Sequence, residues 1–241
     1  MSQYSETKIK NENITFNKRF INILIVSLIS IGTILNVVLT IQYSKKNISL
    51  ATIFNVLIVY FLTSTLLLVV FMPHPSSKYG LHLNNWKSEL FIGFVIGIIA
   101  MFISAFVGKS LISTGFKTTE NMVLGTHWTG LFSSQNLKFM SFYLIGSFIQ
   151  ETVSKGYFQT YLADVISERE FKGLSSKALA IIISSVFFSL FHAAGGIYLC
   201  LITFAFSCLL GMLFEKNRSL IAISLIHFFC GTGAFLVSLY I

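Results

Sequence analysis

The feature that most constrains this chain is a succession of apolar runs, each nearly free of charge and each close to the length a bilayer requires. They fall at 20–43, 49–72, 88–113, 137–164, 177–193, 197–215 and 219–241. Of the 241 residues, 54% are hydrophobic and only 11% are charged. One soluble core cannot bury that much apolar surface. In lipid every backbone polar group must be satisfied within the spanning element, and runs of this length satisfy it as helices. The expectation is an all-α, polytopic transmembrane helical bundle of about seven spans.

The formal charge of +8 is spread over short connecting segments rather than gathered into an arm or stripe. That excludes nucleic acid as a partner and fits the excess of Lys and Arg on the cytoplasmic side of membrane proteins. With the amino terminus inside, the inner segments collect Lys8, Lys10, Lys18, Arg19, Lys78, Lys87, Arg169, Lys172, Lys177, Lys216 and Arg218. The outer side then holds Lys45, Lys46, Lys109, Lys117 and Lys138. A cytoplasmic amino terminus in a bacterial-type cytoplasmic membrane follows as the expectation. Residues 1–19 form a polar leader, and Phe20 to Tyr43 is too long for a signal-peptide core, so it reads as a retained first helix.

The division expected is a polar tail at 1–19, two generic helices over 20–77 and a distinct domain over 78–241. Two breaks interrupt the spans, Pro73 to Ser77 and Thr114 to Asn136, and neither resembles a linker between folded domains. Cys200, Cys208 and Cys230 lie within spans without metal-type spacing and read as small apolar groups. Gly93 with Gly97, and Ser207 with Gly211, place small residues four apart, which lets helices approach closely in lipid.

Against this background a few intramembrane polar residues stand out, because an ionisable group in an apolar helix is costly to keep. Glu151 lies near the middle of the fourth run, with Lys155 four residues later on the same helical face, a spacing that lets the pair neutralise itself. His192 follows Phe187-Phe188-Ser189-Leu190-Phe191, and His227 lies within Leu225-Ile226-His227-Phe228-Phe229. Taken singly, each histidine reads as a hydrogen-bonded core residue. His74, His82 and His127 sit among polar loop residues and carry no chemistry. A transporter or channel would also place charges in the membrane, but few polar residues outside this cluster could line a route across it.

Gln150-Glu151-Thr152-Val153-Ser154-Lys155, Phe188 to His192, and His227 to Gly231 occur in the order and spacing of three motifs of one family. The chain resembles the CPBP intramembrane proteases, which include CAAX prenyl endopeptidases and bacteriocin-processing or self-immunity proteins. Their pattern is Glu-Glu-x-x-x-Arg, then Phe-x-x-x-His, then His-x-x-x-Asn or Asp. Tyr79-Gly80-Leu81 and the Ser219-Leu220 pair add to the likeness, which extends over roughly residues 78–235.

The resemblance implies a site of Gln150, Glu151, His192 and His227, supported by Lys155, Phe188 and Gly231. In the family the first Glu of the pair is taken as the base that activates water, while the histidines and the final Asn or Asp bind a metal or stabilise the oxyanion. A divalent metal such as zinc on His192, His227 and Glu151 is the ligand set this implies. The departures bear on activity. Gln150 stands in the base position, and an amide has almost no basicity near neutral pH. Gly231 offers no side chain at all, and Lys155 keeps the charge of Arg without its planar fork. Adjacent helical positions differ by roughly 100°, so Glu151 is expected to point away from where Gln150 points and to be committed to Lys155. The expectation is an impaired protease that binds a hydrophobic or lipidated peptide or a membrane protein partner among the lipids. The alternative is an active endopeptidase with an altered site that uses Glu151, His192 and His227.

Overall fold

A computed structural model describes residues 24–71 apart from 33, 40, 44 and 49, together with 76–113, 134–167, 175–193 and 196–238. The polar tail, His74, His127, Arg169, Lys172 and residues 114–133 lie outside the described residues. The helices are α1 (Leu24–Tyr43), α2 (Leu50–Phe71), α3 (Trp86–Ser113), α4 (Ser134–Glu151), α5 (Thr160–Ser167), α6 (Ser176–Leu190), α7 (Ile197–Asn217) and α8 (Leu220–Ser238). A π-helical segment, Thr152–Gln159, joins α4 directly to α5. A 3₁₀ turn over Ser76–Tyr79 precedes α3. Among the described residues there is no strand, and the helical bundle expected from the apolar runs is present.

Among the described residues, three helical stretches are long and apolar enough to cross a membrane: Leu24–Tyr43, Trp86–Ser110 and Ile197–Asn217, with mean hydropathy of 2.4, 2.8 and 2.3. Asn55–Leu68, Ser176–Leu190 and Leu220–Ala234 are apolar but shorter. The helix running from α4 into α5 is the polar exception, because it carries Gln150, Glu151, Lys155 and Gln159. The polar residues at its middle are hidden instead: Glu151, Lys155 and Gln159 are fully buried.

Along α3 the bulky side chains face outward and the glycines inward. On α3, Phe91, Phe102 and Phe106 are 70%, 65% and 73% exposed. An unpartnered belt of large apolar groups is unsustainable in water and natural in acyl chains. The inner face of α3 is made of Gly93 and Gly97, and it packs along α8 in the most extensive helix pair of the fold. A Cβ at Gly93 would lie 3.0 Å from both the Cα and the carbonyl oxygen of Ala222. These glycines are therefore contact surface, as the small-residue spacing predicts.

Gly93→Leu is expected to push α3 off α8 and to cost about 1–3 kcal/mol, the range for overpacking against atoms that cannot move aside. Gly146→Leu is the matched control, because nothing lies within 4 Å of a Cβ there. Thermal unfolding of both variants in detergent measures the difference, and equal midpoints would contradict the assigned contact.

The start of α8 fixes the depth of everything that follows on it. Ser219 Oγ accepts from Ala222 N–H at 3.5 Å, and Leu220 N–H donates to the carbonyl of Gly80 at 3.3 Å. Gly80 has φ +78°, and a Cβ there would meet the Phe214 ring at 2.7 Å, so the position favours glycine on two counts. Leu220, Ile223 and Ile226 then bury one side of α8 against Leu210 and Phe214 of α7. That seating brings His227 two turns deeper into the bundle.

Candidate active site

Glu151 and His227 form the centre of the site. Glu151 ends α4 with none of its surface exposed, and His227 Nδ1 lies 2.8 Å from its Oε1. The expected pairing of Glu151 with Lys155 is overturned. Lys155 Nζ donates instead to Ser207 Oγ on α7 at 2.7 Å and to Ser185 Oγ on α6 at 3.2 Å. The physical reason is the π-helical stretch that begins at Thr152. Hydrogen bonding from i to i+5 replaces i to i+4 there, so a four-residue spacing no longer stacks one side chain directly over the next. Thr160 Oγ1, bonded to the Lys155 carbonyl at 3.4 Å, marks the same wider register.

The widened turn also gives the Ser207 and Gly211 pair a function beyond close packing. Ser207 receives Lys155, while the Gly211 carbonyl accepts from Gln159 Nε2 at 3.1 Å. Ser184 Oγ donates to Gln159 Oε1 at 3.3 Å, and Glu215 accepts from Gln159 Nε2 at the same distance. Glu215 is held in turn by Arg218 at 2.7 Å and Lys177 at 3.4 Å. Gln159, Ser184, Ser185, Ser207 and Glu215 were not legible as a network in the sequence. Serine and threonine are ordinary in membrane helices, and only the convergence of three helices shows which of them have charged partners.

Gln150 points away from Glu151, as the roughly 100° step between neighbouring helical residues requires. Its side chain lines a cavity of about 30 Å³ together with Tyr60, Phe61, Ser154, Phe188 and Phe191. Gln150 Oε1 and Ser154 Oγ are buried there without a protein partner. A site of this size has room for about one water, whose usual requirement is polar partners such as these two.

Phe188 is the wall between the two halves. Its ring is tilted against His192, with centroids 5.1 Å apart, and stands edge-on to His227 at 5.5 Å. Lys155 Nζ lies 5.8 Å from the same ring. The aromatic residue read as a supporting element therefore touches both histidines, the lysine and the Gln150 cavity. His192 sits just beyond the end of α6, whose last residue is Leu190, with its N–H on the Ser189 carbonyl at 2.9 Å.

The histidines share one chemical orientation. His192 Nδ1 lies 3.2 Å from the Phe188 carbonyl, and His227 Nδ1 faces the Glu151 carboxylate. A carbonyl and a carboxylate accept, so each ring donates through Nδ1 and presents Nε2 as its lone-pair nitrogen. The ligand set of His192, His227 and Glu151 does not converge. Among the described residues no three His, Cys, Asp or Glu side chains are grouped to hold a metal ion. The Phe188 ring packs against both imidazoles, and one Glu151 oxygen is spent on His227 while the other, Oε2, is buried without a partner.

Gly231, one turn beyond His227, is closed off by Tyr143. A Cβ there would run into the Tyr143 phenol oxygen and lie 2.5 Å from Cζ. Tyr143 comes from α4, and its ring stands edge-on to His227 with centroids 6.0 Å apart. Nothing in the sequence singles out this tyrosine, because a tyrosine among phenylalanines on a spanning helix carries no positional signal.

A bundle that buries a carboxylate, a lysine and two histidines where its helices meet, with bulky apolar groups facing lipid, is an integral membrane protein with an intramembrane polar site. Residues 132–232 are similar to the family described as Type II CAAX prenyl endopeptidase Rce1-like, in line with the resemblance of the three motifs to the CPBP intramembrane proteases. No curated protein and no solved structure matches the chain.

Proposed function

We propose that this chain is a CPBP-type intramembrane scaffold whose peptide hydrolysis is impaired and which acts by binding a hydrophobic or lipidated peptide, or a membrane protein partner. The observation that carries the reading is Gln150. Its amide oxygen is buried at the place where the family pattern puts a carboxylate base, and an amide cannot take a proton from water near neutral pH. The asymmetry of basic residues supports a cytoplasmic amino terminus in a bacterial-type cytoplasmic membrane.

A second reading is favoured by the 2.8 Å contact between Glu151 and His227. A carboxylate that holds Nδ1–H fixes the imidazole so that Nε2 can accept a proton from water, the arrangement by which an acid orients a histidine base in hydrolases. On that reading Glu151, His192 and His227 sustain slow hydrolysis without the usual base. The purified full chain in detergent, offered prenylated and bacteriocin-like peptides, separates the two. Binding without turnover is expected, and turnover that disappears in His192→Ala would establish the second reading instead.

A further inference from the structure

We propose that Asn36 of α1 is a positioning residue for the site: its side-chain amide holds the carboxyl end of α6 and thereby sets where the His192 imidazole stands. The inference rests on the reading of His192 as a site residue, and it concerns a helix that the sequence presents as generic. α6 has 15 residues and spans about 22 Å, short of the roughly 30 Å of a bilayer core, and the Lys177 side chain at its start is 63% exposed. Its last carbonyls therefore fall where lipid supplies no donor. The Phe188 carbonyl accepts from the Phe191 N–H at 3.2 Å, and the Ser189 carbonyl from the His192 N–H at 2.9 Å. The Leu190 carbonyl, two residues before His192, accepts from another helix, through Asn36 Nδ2.

Asn36 is 1% exposed, whereas Ile34, Val37 and Val38 beside it face outward. It lies on the inward stripe of α1 with Ile25, Ile29, Gly32 and Leu39, so the same packing that seats the helix delivers the amide to α6. An amide buried there is costly, and its Oδ1 has no partner among the described residues. The bond to Leu190 is what the position provides in return. α2 meets the next residue of the turn, with the Phe61 ring edge-on to Phe191 and centroids 5.1 Å apart. The α1–α2 pair thus grips both residues that separate Ser189 from His192. From the far end of the turn, His192 Nδ1 reaches back to the Phe188 carbonyl at 3.2 Å. Release at Leu190 loosens that reach, so Asn36 acts on the ring through the backbone.

The test uses the full chain in lipid nanodiscs with ¹⁵N-labelled histidine, and His192→Gln and His227→Gln assign the two residues' signals. Asn36→Leu keeps the approximate size of the side chain and removes the donor. The His192 backbone amide is expected to exchange with deuterium about 3–10-fold faster, the loss of one neutral hydrogen bond, and the His192 ring Nδ1 signal to move. His227, held by Glu151, is expected to keep its signals and its exchange rate. An unchanged His192 would overturn the proposal. So would equal acceleration at His192 and His227, which marks a general loosening of the bundle. If Asn36→Leu does not fold, Asn36→Ser, whose side chain is shorter by one bond, decides by the same signals. No peptide is added, so failure of the binding reading leaves this result standing, and failure here leaves binding to its own assay.

Discussion

Gln150→Glu is expected to raise peptide hydrolysis by about 10²–10⁴-fold over the wild type, the usual contribution of a positioned general base. The backbone need not move for this, because Gln and Glu share one shape. The side chain already lines a cavity of about 30 Å³ beside Ser154, so a water would meet a carboxylate instead of an amide. The assay is release of product from prenylated and bacteriocin-like peptides, compared between the two proteins at equal concentration. Should the variant be as inert as the wild type, loss of the base is not the sole defect, and Gly231, where the family pattern has Asn or Asp, becomes the next position to test.

Glu151→Ala is expected to destabilise the chain by about 3–5 kcal/mol, the cost of breaking a buried pair by removing one partner. Glu151 has no exposed surface, and its Oε1 holds His227 Nδ1 between α4 and α8. Without it the Nδ1–H is left among the rings of Tyr143, Phe188 and Phe206 without its acceptor. Denaturant or thermal unfolding in detergent measures the change. A loss under about 1 kcal/mol would show that the pair does not hold these helices together.

The fate of Lys155 shows where reading along the chain stopped being sufficient. Four residues from Glu151 on a regular helix, it should have neutralised that carboxylate. The π-helical stretch changes which neighbour lies above which, and the lysine finds two serines on α6 and α7 instead. Nothing in Thr152 to Gln159 announces the wider turn, since i to i+5 bonding has no strong residue signature of its own. It is sustained by the partners it reaches, Ser185, Ser207 and the Gly211 carbonyl, which belong to helices distant in sequence.

The expected metal set meets a related limit. Spacing along the chain put Glu151, His192 and His227 at comparable depth, and depth is all that a count of residues per turn can give. Whether three side chains meet depends on rotation about three helix axes, and here that rotation packs the Phe188 ring against both imidazoles.

The sequence by itself determined the membrane, the helical class, the approximate spans and the family motifs. Each follows from local quantities: run length against bilayer thickness, backbone hydrogen bonding that lipid cannot supply, and residue types at fixed intervals. It also determined that Gln150 and Glu151 diverge, because adjacent helical positions must. Only the tertiary structure decided that Glu151 belongs to His227, that Lys155 belongs to Ser185 and Ser207, and that Tyr143 fills the space beside Gly231. Those partnerships join residues on different helices, and their choice is made by helix rotation and close packing, which no spacing within one helix encodes.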